Sequence, residues 1–245
     1  MRILNVAQGS MEWLEARAGI PTASEFDNLV SPTGKIRTGQ TPVSYLARKV
    51  AEAWLGGPLP SYQGGAMEVG SILEDEAIPR YEWDYGCKIQ RVGLVLTDDG
   101  RIGCSPDGLI GDDSGIEIKC PLAQTHVAYL LAGELPADYR LQVQGALYVT
   151  GRREWIFMSY CRNFPPFIYR VERDEELIDT IREALAGFID RFDDATKELE
   201  ALNGAPRPAK PKRETDQEWM QRVAGGVEAV AAPAGQPPDP ETIRF

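Results

Sequence analysis

The spacing of apolar positions changes several times along this chain, and each change marks an element. Val43, Leu46, Ala47, Val50, Ala51 and Trp54 recur at helical intervals, which predicts a helix over 41–55 stopped by Gly56-Gly57-Pro58. Residues 10–19 and 22–31 read as two shorter helices broken at Ile20-Pro21, with Thr22 or Ser24 near the start of the second. Another helix is expected over 66–83. An amphipathic one over about 175–202 has Leu177, Ile181, Leu185, Phe188, Ile189 and Phe192 on one face. Between them the chain takes on strand character. Residues 88–96 read as a strand, Asp98-Asp99-Gly100 as a turn and 101–104 as a second strand, with further strands at 155–161 and 168–171 around Pro165-Pro166. The interleaving predicts an α/β domain over 1–202. Ser31 to Gly39 is loop chemistry, basic and without an acid. From Asn203 prolines, alanines and glycines dominate, so 203–245 is expected to be a flexible tail. Within it 214–223 has the makings of a short helix, whose Trp219, Met220 and Val223 either dock a partner or pack back onto the body.

The chemistry concentrates in Cys104-Ser105-Pro106-Asp107-Gly108 and Gly115-Ile116-Glu117-Ile118-Lys119-Cys120-Pro121. Asp112-Asp113-Ser114-Gly115 is turn chemistry, which makes the flanks two antiparallel strands of one hairpin. Alternation puts Glu117 and Lys119 on one face and Ile116 and Ile118 on the other, and closing the hairpin brings Asp107 alongside. Two carboxylates and an ammonium then meet over an apolar backing. Hard divalent cations such as Mg2+ take oxygen ligands of this kind. The ammonium can orient or deprotonate a water, or stabilise charge developing on a phosphate. The plain alternative is a hairpin with solvated charges. The small-residue turn closed by Asp107, the flanking isoleucines and the abrupt Cys120-Pro121 end favour a metal site.

Composition narrows the field. The formal charge is −11, with 26 basic against 37 acidic residues, and the segment from Asn203 carries six of each. The acidity therefore lies in the body and opposes strong nonspecific binding to nucleic acid, although cations held by catalytic acids would offset part of it. Cys87, Cys104, Cys120 and Cys161 have no C-x-x-C spacing, which argues against zinc or iron–sulfur sites and fits reduced thiols in a cytoplasm. The single histidine, His126, excludes multi-histidine metal sites and is expected to be structural or on the surface. No apolar run approaches the roughly 18 residues of a membrane span, and the N-terminus has no signal-peptide pattern.

Ser105-Pro106-Asp107-Gly108 and Gly115 through Pro121 resemble the active-site core of the lambda-exonuclease family of phage recombination nucleases (YqaJ-like), within the PD-(D/E)xK superfamily. Trp13 through Ser24 resembles that family's N-terminal motif, Gly70-Ser71-Ile72-Leu73-Glu74 its acid-bearing helix, and Gln142-Val143-Gln144 leading to Tyr148-Val149-Thr150 its Q-V-Q helix. The resemblance covers roughly 10–195. It implies a restriction-endonuclease-like core, a central mixed sheet flanked by helices. It also implies a Mg2+-dependent 5′-to-3′ exonuclease that acts on double-stranded DNA ends and leaves a 3′ overhang for strand annealing. Two Mg2+ ions, replaceable by Mn2+, would be held by Asp107, Glu117, the backbone carbonyl of Ile118 and Glu74, with Lys119 beside them. Only the resemblance selects Glu74 over Glu68, Asp75 and Glu76. Arg17, Ser24, Ser105 and Gln142 would hold a terminal 5′-phosphate, though each also has an ordinary reading as ion pair, cap, turn or solvated helix position. Lys35 and Arg37 either sit in a solvated linker or contact DNA phosphates from a flexible loop. A ring-shaped homotrimer, an annealing-protein partner and a phage or prophage setting in a bacterial cytoplasm complete the implication. The alternatives are an endonuclease or repair nuclease of the same superfamily, which needs no terminal-phosphate pocket, and a silent DNA-binding module, which would have no use for the full Asp107, Glu117 and Lys119 set.

Overall fold

The computed structural model describes residues 1–59 and 66–203, apart from the side chains of 66–72 and 203. In chain order the elements are β1 (Arg2–Leu4), α1 (Met11–Arg17), a 3-10 helix (Ala23–Asn28), α2 (Gln40–Leu55), α3 (Ala66–Tyr85), β2 (Ile89–Gln90), β3 (Leu94–Leu96), β4 (Gly103–Cys104), β5 (Gly108–Ile110), β6 (Ser114–Lys119), α4 (Ala123–Ala132), α5 (Ala137–Thr150), β7 (Glu154–Ser159), β8 (Phe167–Glu172) and α6 (Glu175–Asn203). The expected tail beyond Asn203, with its helix at 214–223, lies outside the described residues, as do residues 60–65.

The main sheet runs β2-β5-β6-β7-β8 and is mixed: β6 and β7 are parallel, every other pair antiparallel. A parallel pair cannot be joined by a tight turn, and α4 and α5 supply the crossover. A smaller sheet, β1-β3-β4, lies alongside in the chain's first half. Helices cover the main sheet. Ile116, Ile118, Ile156 and Met158 cluster with Ala77, Ile78 and Tyr81 of α3. Trp155 and Phe157 belong to a second cluster with Val143, Ala146 and Leu147 of α5 and with Leu177, Ile181, Leu185 and Phe188 of α6. β6 is thus a strand buried on both faces, which is why its one ionised pair, Glu117 and Lys119, stands out chemically.

Several expectations are corrected. The predicted helix at 22–31 is only the short 3-10 helix, because Thr22 makes no side-chain cap and its hydroxyl is engaged by Arg17 instead. The strand expected over 88–96 divides into β2 and β3, which join different sheets. The division falls at Gly93, where a Cβ would collide with the Val6 carbonyl. β1 and α4 were not foreseen. The hairpin turn occupies 111–113, and Ser114 and Gly115 already belong to β6, where Gly115 faces the Trp155 ring too closely to admit a side chain.

Candidate active site

Pairing of β5 with β6 begins at Gly108, opposite Ile116, so the ladder stops one residue short of Asp107. Asp107 Oδ2 instead accepts the Ile118 N–H at 2.5 Å. The N–H and C=O of one residue leave a strand on the same edge, so the carbonyl of Ile118 emerges beside Asp107 as well. Glu117, only 4 % exposed, accepts Lys119 Nζ at 2.6 Å and Gln142 Nε2 at 2.5 Å on the same oxygen. Tyr139, on α5 like Gln142, lies with its ring centroid 5.4 Å from the Lys119 ammonium and is itself stacked on Phe157.

The charges at this edge are strongly interdependent. Burial, then Glu117, then Glu74 push the Asp107 carboxyl well above the ordinary range, against Lys119 and the Ile118 N–H. Burial also pulls the Lys119 ammonium down, but Glu117 and Asp107 outweigh it and hold Lys119 above its usual value. Glu74 is raised by burial, with Lys119 opposing and Glu117 adding. Of its neighbours on α3, Glu76 is engaged with Arg162 and Asp75 pairs with Arg91 at 2.6 Å, while the side chain of Glu68 lies outside the described residues. A cavity of about 480 Å3 opens beside Asp107, lined by Asn5, Gln8, Glu74, Asp75, Arg91 and Asp107 among others, so the ion pair of Asp75, not its position, separates it from Glu74.

All the donors are oxygens, as a hard cation requires. The raised carboxyls of Asp107 and Glu74 mark a place short of positive charge, which a divalent cation would supply. Among the described residues no three acids, cysteines or histidines form a ready-made cage. Both bonds to Glu117 fall on Oε1, so its Oε2 is the oxygen left to ligate a cation.

A second cluster centres on Arg17, at the end of α1. Its guanidinium lies 4.2 Å from the Trp13 ring centroid and donates to Thr22 Oγ1 at 2.8 Å and Ser24 Oγ at 3.4 Å. Burial lowers its pKa, with Glu25, Tyr45 and Glu52 opposing. Among the described residues its hydrogen-bond acceptors are hydroxyls alone, so the charge is not neutralised by direct contact with a carboxylate. Ser105 is joined to this cluster indirectly: Trp13 Nε1 donates to Ser105 Oγ and to the Gly93 carbonyl, each at 3.0 Å. Gln142, expected at the same pocket, is found instead against Glu117. The loop carrying Lys35 and Arg37 is not loose. Ser31 and Lys35 exchange hydrogen bonds, Val30 bridges Ile36, and Arg37 Nε donates to the Asp27 carbonyl at 2.6 Å. Lys35 is exposed and Arg37 half-buried.

Four residues of these clusters escaped the sequence reading. Trp13 and Thr22 belong to the N-terminal motif, but only the fold makes them partners of Arg17 and Ser105. Tyr139 was hidden because nothing local links it to Lys119. Gln8 donates to the Val92 and Pro106 carbonyls at 3.0 and 2.8 Å, tying the N-terminal segment to the step before Asp107. His126 is structural: fully buried, it bonds Ser159 Oγ at 2.7 Å and the Pro165 carbonyl at 3.0 Å.

Residues 12–153 match the model of the YqaJ-like viral recombinase domain. No curated protein sequence matches the chain. Among solved structures, an alkaline exonuclease, LHK-Exo from Laribacter hongkongensis, superposes with a TM-score of 0.71 at 30 % identity, covering 80 % of this chain and 98 % of that one. A structure of LHK-Exo with dAMP matches equally well. A phage-related exonuclease from Haemophilus somnus 129PT shares the fold, with a TM-score of 0.58 at 17 % identity over 74 % of this chain and 96 % of that one. The hairpin, the mixed sheet and the helix layers are those of the PD-(D/E)xK fold. With more than half its length matched by the family model and a 30 % identical relative matched almost end to end, the chain belongs to the YqaJ-like viral recombinase family.

Proposed function

We propose that this chain is a Mg2+-dependent exonuclease that enters double-stranded DNA at its ends and removes one strand 5′ to 3′, leaving a 3′ overhang for strand annealing. The carrying observation is the meeting of Asp107, Glu117 and Lys119 at the open edge of β6, with Arg17 linked toward the same edge through Trp13 and Ser105. The relatives support this: LHK-Exo is an alkaline exonuclease, and its complex with dAMP fits release of mononucleotides.

Asp107, Glu117, the Ile118 carbonyl and Glu74 would hold two Mg2+ ions, with Mn2+ able to substitute. Such ions neutralise phosphate charge and make water acidic enough to attack at neutral pH. Lys119, paired with Glu117, would orient or deprotonate the attacking water and stabilise charge on the phosphate. Gln142 holds Glu117 in place from α5. Arg17, positioned by Thr22, would grip a terminal 5′-phosphate together with Ser24 through charge-assisted bonds and so set polarity, while Ser105 fixes the Trp13 ring over which Arg17 lies. Residues 1–202 serve as the nuclease domain and 203–245 as a tail. A single-strand annealing protein and two further copies of this chain are the expected partners, in the cytoplasm of a bacterial host.

Blunt linear DNA labelled at the 5′ or the 3′ end, digested beside a closed circle with Mg2+, tests the proposal. The 5′ label should be released first, the 3′ label should stay in long single strands, and the circle should survive. Linearisation of the circle at a comparable rate would instead make the enzyme an endonuclease.

A further inference from the structure

We propose that a pocket at the start of α2 docks a backbone phosphate of DNA, separately from the Arg17 site. The idea rests on the chain's reading as a DNA nuclease. The pocket has a volume of about 520 Å3 and is lined by Asn28, Gln40, Thr41, Ser44, Tyr45 and Arg48. No acid lines it, in a chain where acids outnumber bases 37 to 26. Its lining is built to donate hydrogen bonds. Gln40 Nε2 donates to Ser44 Oγ at 3.1 Å, so the Ser44 hydroxyl proton is left for a ligand. Thr41 and Ser44 are both exposed. Tyr45, only 2 % exposed, offers no open ring face for a base to stack on, which favours phosphate over nucleobase.

Arg48 is the cation that lines the pocket. Arg48 contacts Glu25 Oε1 through one nitrogen at 2.8 Å. Glu25 is also held by Lys49 at 2.8 Å, and Lys49, 3 % exposed, pairs with Glu52 at 3.0 Å. Burial raises the Glu25 carboxyl, but Lys49, Arg48 and Arg17 outweigh it and keep it below the usual range, hence ionised. Glu25 and Glu52 thus face Arg48 and Lys49 in direct ion pairs, and the Asp27 carboxylate beside the pocket accepts the Asn28 amide at 3.2 Å. Two guanidiniums, Arg17 over hydroxyls and Arg48 in a donor-lined pocket, suit separate anionic groups of a polynucleotide.

The test is duplex binding by fluorescence anisotropy across a salt series. The probe is a blunt 5′-hydroxyl duplex, so that a terminal phosphate plays no part, and EDTA suppresses cleavage. Arg48→Ala should weaken binding about 3- to 10-fold at low salt and flatten the log–log salt slope by about one. Arg48→Lys should keep the slope. Ser44→Glu, a surface change that puts a carboxylate one helical turn before Arg48, should weaken binding at least as much as Arg48→Ala. Affinity within two-fold of wild type and an unchanged slope in both Arg48→Ala and Ser44→Glu would overturn the proposal. Saturable binding of inorganic phosphate that is lost in Arg48→Ala, with duplex affinity unaltered, would assign the pocket to free phosphate and overturn it too. The end-label digestion is unaffected by either result, so the nuclease reading stands or falls separately. Absence of duplex binding by wild type at low salt would overturn the proposal and leave the nuclease reading to the end-label digestion.

Discussion

Asp107 is buried among acids, and that alone makes a stability prediction. Its carboxyl is held well above the usual range by burial, Glu117 and Glu74. The folded chain therefore keeps this proton where the unfolded chain, near the ordinary pKa of about 3.9, has released it. The site's contribution to stability is complete below the unfolded value and is lost as pH rises through the folded one. In a chelator, Asp107→Asn should therefore melt higher than wild type at pH 8 and gain less at pH 5, while digestion is abolished; equal melting at pH 8 would sink this account. Glu117→Ala should lower Mg2+-dependent digestion by at least about 100-fold, and Lys119→Ala by on the order of 10²–10³-fold, with circular dichroism unchanged. Near wild-type turnover in Glu117→Ala would end the metal-site hypothesis. Arg17 reports on polarity: 5′-phosphorylated ends should be digested faster than 5′-hydroxyl ends, and Arg17→Ala should shrink that ratio more than the rate on hydroxyl ends. Asp107, Glu117 and Lys119 were legible because period-two alternation and one turn suffice to bring them together. The Gln142–Glu117 bond joins residues 25 apart, on a helix and a strand, and no local pattern encodes such a contact.

At the scale of elements, the β5–β6 hairpin is the working part, and its precision depends on what packs behind it. Arg152 donates to the carbonyls of Gly111 and Ser114, gripping the turn at the end away from Asp107. Gly115 leaves room for the fully buried Trp155 ring on the neighbouring strand, which any Cβ would strike. Gly115→Val should overpack this layer, costing about 1–3 kcal/mol in thermal or urea unfolding, and should lower activity by disturbing a strand that carries both Glu117 and Lys119. A melting temperature within a degree of wild type would contradict this packing. Long amphipathic elements such as α2 and α6 were legible from one-face apolar spacing. The division of 88–96 was not, because it is decided by Gly93 passing against Val6, a contact across more than 80 residues. β1 escaped for the same reason: Arg2–Leu4 becomes a strand only by pairing with Leu94–Leu96.

At the scale of the molecule, charge and task pull in opposite directions. A formal charge of −11 repels a polyanion, so one subunit should hold duplex DNA weakly. On the proposed function, preparing a long 3′ overhang would nevertheless demand many cleavages on one substrate. Local cation clusters around Arg17 and Arg48 can position an end, but they are too few to retain a duplex between steps. Enclosure solves the problem without affinity: three subunits in a ring keep DNA in a channel by topology. A cyclic trimer repeats one heterologous interface and closes on itself, which limits growth into filaments. We therefore expect a homotrimer, read as about three chain masses by light scattering coupled to size exclusion. Its processivity should persist when salt is raised to a level that abolishes fresh loading, because a threaded duplex no longer depends on electrostatic capture. A stable monomer that degrades long DNA processively in the presence of excess unlabelled competitor would refute retention by topology and return the burden to charge.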